Sequence, residues 1–282
     1  MKTTLEQAKK FNLDNIRKVA GGVPSNPRTI QEKLRWLNIY DIPWSEKYSM
    51  PLKSVCADKV LLHEYSKDVL GKDICVPIIK TYNSTSEINW NELPNKFVIK
   101  CNHGSGMNVI VKDKSKLNIT DAKNKLNAWL KQDYAFRNGF ESHYHWIDRK
   151  ISVEQFMDDG TPNCLTDYKF YCMNGEPKFI HVINDRFTNN MHFSFYDLDF
   201  NKMALEQTNH PKSVGVAKKP GHLNEMIEIA RKLSKPFKFV RVDLYEIGGV
   251  VYLGELTYVP DVGVFHYKHK EDELTIGALL KL

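Results

Sequence analysis

The sequence has no apolar run near the roughly 20 residues that a membrane-spanning helix requires, so no integral membrane segment is expected. Its first ten residues, Met1 to Lys10, carry no hydrophobic signal-peptide core, which makes the cytoplasm the expected location. Cysteine is sparse. Cys56, Cys75, Cys101, Cys164 and Cys172 are scattered, odd in number and never spaced as CxxC. That pattern argues against a disulfide or zinc framework and for reduced, mostly buried thiols. No long Lys/Arg block occurs, and no stripe of interleaved basic and aromatic residues, so nucleic acid is not an expected partner. The net charge of +6 is mild: it is compatible with a phosphorylated or otherwise anionic ligand but demands none. There is no Walker A motif, no internal repeat and no low-complexity linker.

What remains is an ordinary folded composition. The 282 residues are 42% hydrophobic and 26% charged, enough for one large core or two to three small ones. Residues 1–27 are polar and close on a loop from Gly21 to Pro27. Helical spacing of Ile30, Leu34 and Leu37 predicts a helix, and a second is expected from Ala57 to Leu70, with Asp58 and Lys59 in its first turn and Gly71 at its end. Val76–Ile79 reads as a short strand. After Lys96 the pattern turns to strands: 96–101, 108–112, 151–157, 167–173, 178–183 and 192–197. Helices are expected over 120–132, capped by Thr120, and over 223–233, with a short one at the C-terminus. Residues 133–149, dense in aromatics and histidines, resist assignment. The fold class is α+β with antiparallel sheets predominating after residue 96.

The stretch Arg241–Thr257 carries the first chemical signal. Two runs rich in Val and Tyr flank Gly248-Gly249, the pattern of a hairpin. Asp243 and Glu255 lie on opposite arms at nearly equal distances from the turn. Two facing carboxylates repel unless a cation or proton intervenes. They read as a Mg²⁺ site or, equally simply, as solvated surface acids. The second signal is the loop Asn102–Met107 with Gly104-Ser105-Gly106 at its centre, preceded by Lys100 at a strand end. Glycines let backbone amides approach an anion, and the lysine can reach the same phosphates. The alternative is an ordinary turn beside a surface lysine. Glu154-Gln155-Phe156-Met157 closes a strand where an adenine could dock edge-on.

A lysine with a glycine loop, a hinge strand, then Asp and Glu on a late hairpin is the layout of an ATP-grasp enzyme. The chain resembles the TupA-like subgroup, associated with teichuronopeptide and bacterial surface-polysaccharide synthesis. The resemblance is carried by Thr29–Leu34, Ala57-Asp58-Lys59, Phe97–Gly106, Asp167–Phe170 with Asn174-Gly175, Asp185-Arg186, Arg241–Leu244 and Gly254–Thr257. It implies an ATP-grasp fold of two α+β subdomains clamping ATP after a mostly helical N-terminal region. The implied divisions are 1–95, a small lid subdomain 96–157, and a core subdomain 158–282 with the metal site. It implies that Lys59 and Lys100 contact phosphates, that His103, Gly104, Ser105 and Gly106 form the closing lid, and that Glu154, Gln155, Phe156 and Met157 form the adenine hinge. Asp243 and Glu255 would hold Mg²⁺, or Mn²⁺ in its place, with Thr257 standing where the wider pattern has Asn. Arg241, with Lys100 and Lys169, would serve catalysis. Asp167 is counted with the nucleotide-binding residues, where it could hold ribose or a substrate carboxylate. For Asp167, Lys169, Asp185 and Arg186 a substrate-binding role and a buried ion-pair network stay equally open.

The implied activity is an ATP-dependent carboxylate–amine ligase working through an acylphosphate. The substrates would be a hexuronic acid of a nucleotide sugar or polysaccharide precursor and an amino acid or amino alcohol. The implied setting is a bacterial cytoplasm, near the inner face of the membrane. Two other classes stay in view: a glycosyltransferase with Asp158-Asp159 or Asp197-Leu198-Asp199 as its metal motif, and a nucleotide-binding protein without turnover, which Thr257 admits. His143, His145, His266 and His269 are read as packing or surface residues.

Overall fold

The computed structural model describes all residues except 1–2, 19–21, 138, 159–164, 185–190 and 209–215. The expectations for Cys164, Asp185, Arg186 and Asp159 therefore fall outside the described residues. Capping sets the first helices. In α1 (Leu5–Asn15) and α2 (Ile30–Tyr40) the N-cap threonines Thr4 and Thr29 form reciprocal capping boxes with Gln7 and Glu32. The polarity of residues 1–27 hid α1, whose buried face is only Ala8 and Asn12.

A two-residue ribbon, β1 (Trp44–Ser45) with β2 (Met50–Pro51), leads into α3 (Leu52–Ala57) and α4 (Leu61–Leu70). The expected single helix over Ala57–Leu70 is thus broken. The Asp58 carboxylate accepts from the Val60 amide at 2.8 Å and from Asn102 Nδ2 at 2.9 Å, and a short side chain that takes nearby amides competes with the helix. Asp58 and Lys59 sit in the break rather than in a first turn. Gly71 ends α4 in the left-handed conformation, at φ 73°.

The four-stranded antiparallel sheet has the order β3-β6-β4-β5, from Ile78–Tyr82, Ile151–Gln155, Phe97–Cys101 and Asn108–Val111. Its strand β3 comes from ahead of residue 96. One face carries Phe97, Ile99, Cys101, Ile151 and Val153, all fully buried, and α5 (Ile119–Leu130) packs against β4. Asn118, not Thr120, caps α5: its Oδ1 accepts from the Asp121 amide at 3.0 Å.

The five-stranded antiparallel sheet has the order β11-β10-β7-β8-β9, from Val250–Thr257, Phe239–Ile247, Asp167–Met173, Glu176–Asn184 and His192–Tyr196. The amphipathic helix α6 (Leu223–Ser234) turns Leu223, Met226, Ile229, Ala230 and Leu233 onto one face of it. The C-terminal helix α7 (Lys270–Leu279) lies on α2. There Gly277 allows close approach, because a Cβ would stand 2.2 Å from the Arg28 carbonyl oxygen. The segment leading into β3 is tied to β11. Cys75 and Leu253 form a short parallel bridge, with Leu253 N donating to Ile74 O at 2.7 Å and Val76 N donating to Leu253 O at 3.3 Å. One apolar cluster runs through both sheets, from Ile30 to Leu280. Cys56, Cys75, Cys101 and Cys172 are free and buried, as their spacing implied. No helix among the described residues is long and apolar enough to cross a membrane.

Candidate active site

Strand register assembles the site. Asp243 pairs directly with Glu255, Arg241 with Thr257, and on the other side Asp243 with Lys169 and Arg241 with Tyr171. Directly opposed residues in a sheet share a face, as do residues two apart along a strand. Asp167, Lys169, Arg241, Asp243, Glu255 and Thr257 therefore stand together on the face opposite α6. His181 of β8, opposite Lys169, extends it.

One irregularity makes this possible. The register shifts between Asp243 and Leu244, leaving Gly254 as the extra residue on β11. Leu253 and Leu256 both point to the helix face, although three residues apart, while Glu255 and Thr257 keep the site face. Without the extra residue, either Leu253 or Glu255 would face the wrong way. Gly254 is also sterically required, since a Cβ there would meet the Tyr245 ring at 2.5 Å. Gly254→Ala is expected to destabilise the fold by about 1–3 kcal/mol and to lower nucleotide-dependent activity with it. Urea denaturation and an ADP-release assay check both.

The charges on this face are tightly coupled. Asp243 is 1% exposed, and Arg241 grips it with Nε to Oδ1 and Nη2 to Oδ2, both at 2.7 Å. Lys169 Nζ donates to the same carboxylate and stands 3.9 Å from Asp167. Burial works against ionised Asp243, but Arg241 and Lys169 outweigh it and hold the carboxyl below its usual range. Arg241 Nη2 also donates to Glu255 Oε1 at 3.2 Å and to Thr257 Oγ1 at 3.1 Å, and the Thr257 hydroxyl donates to Glu255 at 3.3 Å. Asp243, Glu255 and Thr257 present oxygen donors on one face, the donor type a Mg²⁺ ion takes, and so fit that ion.

The other sequence-derived residues gather on the four-stranded sheet. Lys100 forms an ion pair with Glu154, 7% exposed, across β4 and β6. Lys59 Nζ donates to Gly104 O at 2.7 Å, which ties the break between α3 and α4 to the glycine loop. Burial lowers the Lys59 pKa; Glu255 and Glu154 oppose that, so Lys59 feels both halves of the site. His103 is buried beneath the loop, and its Nε2 meets Trp129 O at 3.1 Å; burial pushes its pKa down to about 4. Gly104 has the Tyr134 ring against it, so a Cβ would clash at 2.5 Å, whereas Gly106 takes φ 70° with open space around it. Ser105 is exposed at the tip. Gln155 is exposed, and Phe156 and Met157 are half-buried beyond the end of β6.

The sequence profile of the family described as TupA-like ATPgrasp matches residues 32–281. The chain belongs to this family.

The α+β architecture of this TupA-like protein is accordingly the ATP-grasp fold. No curated protein sequence matches it significantly. Solved structures are similar at low identity. D-alanine–D-alanine ligase from Helicobacter pylori aligns at 17% identity and TM-score 0.45, over 90% of this chain and 67% of that one. The D-alanine–D-alanine ligase from Bacillus anthracis aligns at 18% and 0.41, over 74% and 59%. The L-amino acid ligase from Bacillus licheniformis aligns at 14% and 0.43, over 76% and 44%. The chain spans less than two thirds of the length of the latter two proteins.

In the TupA-like protein the charged face opens onto a cavity of about 610 Å³, lined by Lys169, Arg241, Glu255 and Thr257 but also by Ser105, Tyr134, Glu141, Tyr144, His181 and Asp261. Of the phosphate-binding candidates, Ser105 of the glycine loop lines it, whereas Lys59, Lys100 and Glu154 do not. Sequence reasoning missed Glu141 and Asp261. Glu141 lies in the unassigned stretch, between 3₁₀ turns Tyr134–Phe136 and Ser142–Trp146 that have no periodic signature. Burial, then the charges of Glu255 and Asp261, push its carboxyl up to about 8. Between the unfolded value of about 4.3 and about 8, the folded protein binds the extra proton. Stability therefore falls as pH rises through that window. Glu141→Gln is expected to raise stability above pH 7 by about 1 kcal/mol or more, read from thermal unfolding at pH 5 and pH 8.

Of the alternative metal motifs, Asp158-Asp159 extends outside the described residues, and Asp197-Leu198-Asp199 is the one that can be placed. Asp197 follows β9 in a turn, and its carboxylate is taken by the amides of Asp199 and Asn201 and by Asn201 Nδ2. Asp197 and Asp199 do not share a strand face, because β9 ends at Tyr196 and the turn begins there. His143 and His145 likewise lie in the Ser142–Trp146 3₁₀ turn rather than a strand, His143 buried and His145 bonded to Asp133 at 2.5 Å.

Proposed function

We propose that this protein is an ATP-dependent carboxylate–amine ligase. The observation that carries the reading is the co-facial cluster of Arg241, Asp243, Lys169, Glu255 and Thr257 opening onto a large cavity. Lys59, Lys100 and the amides of the Gly104–Gly106 loop would bind the ATP phosphates, with the 154–157 segment along the adenine and Asp167 toward the ribose. Mg²⁺ held by Asp243 and Glu255, with Thr257 beside them, would neutralise phosphate charge.

The acid substrate's carboxylate attacks the γ-phosphorus, ADP leaves, and an acylphosphate forms. Arg241 and Lys100 balance charge on the phosphoryl group in flight, and Lys169 holds Asp243 in place. The unprotonated amine nitrogen then attacks the acyl carbon, the carbon–oxygen bond to phosphate breaks, and the departing phosphate takes up the proton that the nitrogen loses. The cavity walls keep water from the acylphosphate. The acid is proposed to be a hexuronic acid of a bacterial surface-polysaccharide precursor, and the amine an amino acid or amino alcohol. The proposed setting is the cytoplasm, near the inner face of the membrane.

The test is an ADP-release screen of D-glucuronate, D-galacturonate and their UDP conjugates against small amines, with hydroxylamine trapping. A hydroxamate formed only with ATP and the correct acid supports the reading. ADP release without any hydroxamate removes the acylphosphate. Consumption of the sugar nucleotide without ATP returns the glycosyltransferase class.

A further inference from the structure

Glu141 is 9% exposed and lines the cavity, yet no hydrogen bond or ion pair among the described residues engages its carboxyl group. A buried carboxylate left alone is costly, so a fold that keeps one has a use for it. Its position is firmly built. The Glu141 amide donates to Ala135 O at 2.9 Å, the Tyr144 amide donates to Glu141 O at 3.1 Å, and Ser142 Oγ donates to Asn38 O at 3.1 Å on α2. The side chain is therefore held on an anchored turn, not on a free loop.

Asp261 reaches the same cavity by a different device. Asp261 (φ 48°, ψ 36°) and Val262 (φ 48°, ψ 25°) are both left-handed and lead into left-handed Gly263. Non-glycine residues resist that conformation by roughly 1–2 kcal/mol each, and such strain persists only where neighbours enforce it. Here Arg35 Nη1 holds the Gly263 carbonyl at 3.1 Å, and the Val264 amide donates to Asp261 O at 3.0 Å. With Glu255, three acids face one cavity. They do not converge on a single ion: among the described residues, only His63, Asp73 and Cys75 bring three ligand atoms within 4.8 Å of one another. A spread set of carboxylates suits a cation that carries several N–H donors of its own.

We propose that Glu141 and Asp261 are the seat of the amine substrate, which docks as an ammonium ion and gives up one proton to solvent before its freed nitrogen attacks, and that they select charged primary amines over uncharged nucleophiles. This rests on the ligase reading. It places the acceptor in the cavity beside Arg241 and Glu255. Raising of the Glu141 pKa by burial and by Glu255 and Asp261 agrees with it, since a cation is what such a carboxyl lacks.

Hydroxylamine, largely uncharged at neutral pH, separates the two claims. The uronate giving most hydroxamate with wild-type protein serves as the acid, and ethanolamine, L-serine and L-lysine serve as amines. In Glu141→Gln, hydroxamate formation is expected to stay within about twofold of wild type. Amide formation is expected to fall about 50-fold or more, in KM for the amine. Asp261→Asn should show a smaller loss of the same kind, and Glu141→Asp a partial recovery. The thermal midpoint of Glu141→Gln, expected at or above that of wild type, shows that the loss is not unfolding. Parallel loss of hydroxamate and amide, or no loss of amide, overturns the proposal. No hydroxamate from wild-type protein with any uronate overturns the ligase reading and takes this inference with it.

Discussion

Glu255→Gln is expected to slow ADP release by at least about a thousandfold while leaving the fold within about 0.5 kcal/mol of wild type. The side chain is 40% exposed, and its Oε1 accepts from Arg241 and Thr257. A glutamine oxygen accepts the same bonds, so packing and hydrogen bonding survive. What is lost is the second negative charge opposite Asp243, and with it the preference for a divalent cation. Isothermal titration with Mg-ADP, beside circular dichroism, separates the two effects. Tight Mg-ADP binding and full turnover in the variant would remove Glu255 from the metal site.

Arg241→Met is expected to lose both rate and stability. Its guanidinium bridges Asp243, Glu255 and Thr257, so turnover should fall about a thousandfold even where nucleotide binds. Asp243 is then left buried with Lys169 as its remaining cation, which costs about 2–4 kcal/mol. The sign of the pH dependence follows from the depressed carboxyl pKa. The ion pair stabilises the fold fully above the unfolded carboxyl value of about 4, and that contribution disappears as pH falls through the lower folded value. The stability gap between variant and wild type should therefore narrow in strong acid. Adding Asp243→Asn to Arg241→Met removes the unpaired anion and should restore part of the stability but none of the rate. Urea denaturation at pH 7 and pH 3 measures the gap; a gap that widens in acid would mean the guanidinium does not serve Asp243.

Much of the site was legible because strand period and hairpin symmetry are local. Gly248-Gly249 placed Asp243 and Glu255 on opposite arms to within one residue, and the bulge at Gly254 brings them into direct register. The phase slip on β11 went unread: Val251 and Leu253 are two apart, but the next buried apolar residue, Leu256, is three further on, and which of these are buried is set by the fold. Lys59 was placed by resemblance alone. Its setting, in a helix break made by Asp58 bonding to Asn102 across 44 residues of chain, has no local signature. Glu141 and Asp261 were out of reach for a similar reason. One sits in 3₁₀ turns without periodicity, and the other in a left-handed run whose first two members are not glycine. Arg241 gave the opposite difficulty: its strand face was clear, but its grip on Asp243 and Glu255 at once appears only when β10 and β11 are paired.

The bridge between Cys75 and Leu253 gives the molecule a fulcrum. Two backbone hydrogen bonds fasten the segment Ile74–Val76, just ahead of β3, to β11 two residues before Glu255. A rigid body turns least where it is pinned. If the sheet bearing Lys100 and the glycine loop tilts to admit or release a nucleotide, Glu255 lies beside the axle and moves little, whereas the tip at Ser105 lies at the end of the arm. Phosphate contacts can then be made and broken while the geometry of the acids is held constant.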